Sequence, residues 1–232
     1  MTAAFILDEL LSMANPEKAA FLQRFFKTGP GQYAEGDVFL GLVVPLTRSI
    51  ARANKQTPLK ELRPLLQSEY HEARLCALLI LVEQFKKAGP EQQKDLFDFY
   101  LSHTPRINNW DLVDVTCPHI IGAYLLDKPR DPLYRLAESE LLWDQRIAMV
   151  STVAFIRNRE FDDTLALAER FLSHKHDLMH KAVGWMLREV GKKDRDTLTV
   201  FLDEHAPAMP RTALRYAIEH YPEPQRKAFL QR

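Results

Sequence analysis

A carboxylate four residues from an indole is the first feature of this 232-residue sequence that points to chemistry. The run is Asn108-Asn109-Trp110-Asp111-Leu112-Val113-Asp114. In a helix, Trp110 and Asp114 share a face and Asp111 points about 100° away. Leu112 and Val113 then fill the buried side. An aromatic face beside a carboxylate attracts a cation, through the ring quadrupole and the negative charge together. The same run also fits a capped helix with a packed Trp, because Asn and Asp favour helix N-termini. A second set is Lys181, Trp185 and Arg188, at i, i+4 and i+7 of one helical stripe, with Val183, Met186 and Leu187 on another. Cations flanking an indole off the core face suit a surface that tracks a phosphate backbone. A partly exposed Trp with snorkelling neighbours gives the same spacing. Single cations complete the set. Arg146 introduces an apolar helix, Arg48 follows Gly41 and Pro45, and Arg211 and Arg215 stand at i, i+4. Each fits a phosphate or a surface ion pair, with Glu219 placed to pair with Arg215.

Other patterns point nowhere useful. His174, His176 and His180 lack a cysteine partner and sit at a polar junction, so no metal site is expected there. There is no serine-nucleophile motif, phosphate loop or dinucleotide fingerprint. Two cysteines, Cys76 and Cys117, supply neither a disulfide framework nor an iron–sulfur cluster, and free thiols suit a reducing compartment. No cofactor is expected.

The elements that must position these residues are helices. In residues 72–85, Leu75, Leu78, Leu79, Val82 and Phe85 recur at spacings of three and four. Leu165, Ala168, Phe171 and Leu172 do likewise, as do Ala213, Tyr216, Ala217 and His220. Period-two runs are absent, which excludes a strand-based fold. Prolines such as Pro16 and Pro58 suit helix starts. Residues 28–36, which hold three glycines, are the longest expected loop. A dozen or so helices with short connections result. Three segments resemble one another: Glu69-Tyr70-His71-Glu72-Ala73-Arg74, Leu142-Trp143-Asp144-Gln145-Arg146-Ile147 and Asp177-Leu178-Met179-His180-Lys181-Ala182. Their spacing of roughly 35 to 70 residues fits stacked helical hairpins of the HEAT type. The expected fold is all-α, a helical-repeat solenoid with a concave face for a partner, in one domain over 1–232. A compact bundle is the alternative.

The net charge is zero, with 31 basic and 31 acidic side chains. That argues against a general polyanion binder, although segregation of charge matters more than its sum. From Arg146 onward there are 15 basic and 12 acidic residues, so a nucleic-acid surface should draw on the later part. The start has no basic leader, and no apolar run nears the roughly 20 residues of a membrane span. The expected location is cytoplasmic, in contact with the nucleoid and away from membranes.

At these residues the sequence resembles the AlkD-like DNA alkylation repair family, HEAT-like-repeat 3-methyladenine and 7-methylguanine DNA glycosylases. The resemblance spans nearly the whole chain. It rests on Ala14-Asn15-Pro16-Glu17-Lys18-Ala19, the Phe39-Leu40-Gly41 run that leads through Pro45 to Arg48, the Trp110 to Asp114 motif, Trp143-Asp144-Gln145-Arg146, and Lys181-Ala182-Val183-Gly184-Trp185-Met186-Leu187-Arg188-Glu189. It implies a right-handed solenoid with a concave DNA-binding face. It also implies that Asp114 is the catalytic carboxylate, with Trp110 and Trp185 walling the cleft and Arg146 on the DNA backbone near the lesion. Phe25 stands where the family often has a Tyr that approaches DNA. Phe25, Arg48, Lys181, Arg188, Arg211 and Arg215 would meet the DNA. The implied substrate is duplex DNA with cationic N3- or N7-alkylated purines, cleaved by a monomer without base flipping. The alternatives are a non-catalytic relative that binds damaged or branched DNA, and a scaffold for a protein partner.

Overall fold

The run from Leu75 to Val82 carries no polar residue, so a helix there has no face to give to water. In the computed structural model, which describes residues 1–232, this run lies in a central helix of fifteen residues, and residues 71–82 are all buried. In chain order the α-helices are α1 (Ala3–Ser12), α2 (Pro16–Phe25), α3 (Val44–Ala53), α4 (Leu59–Gln67), α5 (His71–Phe85), α6 (Pro90–Leu101), α7 (Trp110–Asp114), α8 (Ala123–Leu125), α9 (Asp131–Glu138), α10 (Leu142–Ser151), α11 (Val153–Arg157), α12 (Asp162–Arg170), α13 (Asp177–Lys193), α14 (Arg195–His205), α15 (Arg211–Ala217) and α16 (Glu223–Gln231). The fold is all-α and contains no strand. No helix is long and apolar enough to cross a membrane.

The helices cluster into two compact units, residues 1–120 and 121–232. In the first, α1, α3, α4, α6 and α7 pack around α5. In the second, α13 is the central helix, covered by α10, α12, α14 and α15. Its closest neighbour is set by Gly184. A Cβ there would collide with the Ala213 carbonyl and stand 2.6 Å from the Cβ of Tyr216, so α15 lies directly against the α13 backbone.

The resemblance among sequence segments has a structural counterpart. α4 ends at Ser68 and α9 at Ser139, both with extended backbone at the cap. Each serine hydroxyl accepts the backbone N–H two residues on, from Tyr70 and Leu141, at 3.1 Å in both cases. A buried helix then begins, α5 or α10, with a buried arginine in its first turns, Arg74 or Arg146. One helix–serine turn–helix unit is thus used twice, which is what a helical-repeat fold requires.

Two expected faces are corrected. α12 buries Thr164, Leu167 and Ala168, with Phe171 just beyond its end, while Leu165 and Leu172 lie partly open. α15 buries Ala213, Leu214 and Ala217, followed by Ile218, whereas Tyr216 and His220 are exposed. The two helices span only nine and seven residues, about two turns, too few repeats for the spacing to single out one face. The longest connection also exceeds expectation. It runs from residue 26 to 43, because residues 37–43 are non-helical and bond to the start of α5 through Val38, Leu40, Gly41 and Leu42.

Candidate active site

The first unit holds α7, which carries Trp110, Asp111 and Asp114. Five residues cannot sustain a helix in water, so outside contacts must hold this one. Asn109 caps it, its side chain accepting the Trp110 N–H at 2.8 Å. Leu112 and Val113 are fully buried beneath it. The two acids part company here. Asp111 is buried; one carboxylate oxygen accepts the Leu112 N–H at 2.9 Å and the other meets Nε2 of His71 at 2.8 Å. Asp114 is half-buried at the C-terminal end of the helix.

The Trp110 ring sits in a cluster of aromatic rings. It stacks on Phe26 at 5.1 Å, meets the edge of Phe25 at 6.2 Å, and donates its indole N–H to the Tyr33 hydroxyl at 3.4 Å. Behind it, Phe26 stacks on Phe39 at 4.9 Å, and Phe39 on His71 at 4.4 Å. Phe25 is 54% exposed and stacks on Phe21, itself 57% exposed. Phe25 therefore lies against the indole, with its outer side open.

Beneath the rings lies a polar network that the sequence reading missed. Asp37 accepts from Arg74 at 2.6 Å and from Asn108 at 3.1 Å, and faces Nδ1 of His71 at 3.3 Å. Burial works against the Asp37 charge, but the His71 hydrogen bond and the Arg74 guanidinium outweigh it and hold the carboxyl below its ordinary range. Burial likewise opposes charge on His71, yet the Asp111 carboxylate and the bonds to Asp111 and Asp37 push the imidazole up to about 9. Arg74 also donates to the carbonyls of Ser68 and Glu69 beyond the end of α4. Glu72 gathers the backbone N–H groups of Leu40, Gly41 and Leu42 at 2.8 to 3.1 Å and so fixes the long loop. The signal was present in the sequence: three ionisable residues, His71, Glu72 and Arg74, directly abut an apolar run with no solvated face.

The second unit carries the other candidates. Trp185 and its neighbours Lys181 and Arg188 are half-buried along α13, while Val183, Met186 and Leu187 are buried, as the spacing predicts. Lys181 pairs with Asp177 at 2.8 Å. Arg188 bonds Glu219 and lies over the Tyr216 ring at 6.0 Å. Glu219 is thus taken by Arg188, where the spacing had offered it to Arg215. Arg211 and Arg215 are exposed on α15. Arg146 is only 5% exposed and donates to the Leu178 carbonyl of α13, so any phosphate it meets must come to that narrow edge. His174 bonds Gln145 at 2.8 Å, and His176 and His180 bond to groups of His174. In the first unit, Arg48 is half-buried on α3.

The first unit thus offers an indole and a half-buried carboxylate on α7, and the second unit, by itself, offers half-buried and exposed cations on α13 and α15. A family model described as "DNA alkylation repair enzyme" matches residues 6–221. The chain belongs to the DNA alkylation repair enzyme family. Family membership makes repair of alkylated DNA its role and DNA its substrate. A solved structure described as "Predicted DNA alkylation repair enzyme from Enterococcus faecalis" shares the fold. Its TM-score is 0.69 at 17% identity, over 90% of this chain and 97% of that one. No curated protein matches by sequence.

Proposed function

We propose that this chain is a monofunctional DNA glycosylase that hydrolyses the N-glycosidic bond of N3- and N7-alkylated purines in duplex DNA, as a monomer without a cofactor. One observation carries the reading. Of the two acids on α7, Asp111 is buried and Asp114 is partly exposed, on the helix that bears Trp110.

Alkylation at N3 or N7 makes the purine a cation and a good leaving group. When the C1′–N bond breaks, its electron pair returns to the base, which leaves neutral. Positive charge then develops on the deoxyribose. A fixed anion stabilises that charge more than it stabilises the ground state. Asp114 supplies the anion and accepts a proton from the water whose oxygen bonds to C1′. Trp110 adds attraction between its ring face and the electron-poor sugar. Phe25, Arg48, Arg146, Lys181, Arg188, Arg211 and Arg215 are assigned to the DNA strand around the lesion.

Single-turnover excision from a duplex with one 7-methylguanine tests this. Asp114→Asn should slow excision at least about tenfold, or roughly 1.4 kcal/mol. A duplex with hypoxanthine, a neutral lesion, should be cut poorly. Full activity in Asp114→Asn removes the assignment. DNA binding without base release by the wild type favours a non-catalytic damage binder.

A further inference from the structure

Both ring nitrogens of His71 face carboxylate oxygens, Nδ1 toward Asp37 at 3.3 Å and Nε2 toward Asp111 at 2.8 Å. A neutral imidazole has one donor and one acceptor, and an ionised carboxylate only accepts. The geometry is satisfied with a proton on each ring nitrogen. His71 is also in ring contact with Phe39 at 4.4 Å and with Phe26 at 5.4 Å, and Phe26 in turn supports the Trp110 ring. The residue therefore reaches α7 twice, through Asp111 to its backbone and through Phe26 to its indole.

We propose that His71 is a positioning residue whose doubly bonded ring fixes α7, and with it Trp110 and Asp114, in the arrangement that excision requires. The proposal rests on the glycosylase reading for its kinetic consequence but not for its structural one. The charged groups around the ring are Asp37 from the long loop, Asp111 from α7 and Arg74 from α5 itself. Asn108 and Asn109 add neutral donors to Asp37. With His71 protonated, the carboxylates of Asp37 and Asp111 face the cations His71 and Arg74 and these four groups balance, while Glu72 is held apart by the backbone N–H groups of the loop. Loss of the proton leaves one buried negative charge in excess and turns one nitrogen lone pair against a carboxylate. A buried network that is only partly satisfied is costly, and a five-residue helix has little else to hold it.

The test combines kinetics with a reaction-independent probe. In the free protein, the Trp110 indole N–H resonance, assigned by its absence in Trp110→Phe, should move with pH together with the His71 ring nitrogens, with a shared midpoint near 9. Single-turnover excision at saturating enzyme should fall through the same range. His71→Gln should lower excision by about tenfold at neutral pH and abolish that alkaline fall. Asp111→Asn, which removes the main partner raising the His71 midpoint, should shift both the resonance change and the kinetic limb to lower pH. It serves if His71→Gln does not fold.

A Trp110 resonance that ignores His71 titration overturns the proposal, whatever the excision rate. So does an unchanged alkaline limb in the variants. If Trp110 follows His71 but no base is released by the wild type, the glycosylase reading fails and the positioning role stands.

Discussion

At the scale of single residues, His71 and Asp37 make stability depend on pH in two directions. Asp37 has its pKa lowered in the folded state, so its contribution is present above the ordinary carboxylate value and is lost as pH falls through the depressed one. His71 titrates near 9 when folded and near 6.5 when unfolded. The native state therefore binds the extra proton between those values, and stability declines as pH rises from about 6.5 through 9. Urea midpoints across pH should show both limbs. His71→Gln should flatten the alkaline one and Asp37→Asn the acid one. Phe25 gives a second prediction at this scale. Its edge contact with Trp110 is of a kind worth about 0.5–1.5 kcal/mol. Phe25→Ala should then cost about two- to tenfold in kcat/KM for excision. Phe25→Tyr, which keeps the ring and adds a hydroxyl, should stay within about twofold. Equal losses in the two variants would place the residue outside the DNA path.

At the scale of elements, α13 carries two glycines with opposite expected outcomes. Alanine at Gly184 meets the backbone carbonyl of Ala213, which has no rotamer to yield. The helix-propensity gain of about 1 kcal/mol from Gly to Ala is outweighed by an overpacking cost of about 1–3 kcal/mol. Gly184→Ala should lower the urea midpoint and disturb the Trp185 environment one residue on. At Gly191 the nearest atom is a terminal methyl of Leu198, a flexible side chain that can move. Gly191→Ala should be neutral or stabilising. A larger loss at Gly191 than at Gly184 would contradict the packing argument. The same helix shows how much pattern alone reveals. Its stripes were legible because seventeen residues cover nearly five turns. The faces of α12 and α15 were misassigned because nine and seven residues do not.

At the scale of the molecule, charge is spread more evenly than the split at Arg146 indicates. Residues 1–120 hold 13 basic and 14 acidic side chains, and residues 121–232 hold 18 and 17. Neither unit is a polycation, so DNA affinity must come from a few placed cations. Of the cations proposed to contact DNA, Lys181 and Arg188 hold protein carboxylates and would have to exchange them for phosphate. Each phosphate contact contributes about −0.9 to the slope of log K against log salt. Arg211→Ala or Arg215→Ala should therefore reduce the slope by about 0.9 in anisotropy titrations, and Lys181→Ala by no more. A salt-independent affinity would favour a scaffold for a protein partner instead.

Local spacing by itself pointed to the helical class, to Trp110 and Asp114 on one helix, to the buried side of α13 and to the recurring helix starts. Those features depend on contacts three or four residues apart, and periodicity records them. Only the tertiary structure decided that Asp111 is the acid on α7 that meets His71, where Glu219 places its charge, and why His71, Glu72 and Arg74 are buried. Each of those outcomes turns on a partner 30 to 40 residues away, as with Asp37 and Asp111 around His71. No spacing rule encodes such a meeting. It follows from loop and helix packing that desolvates the charges and so requires every one of them to find a mate.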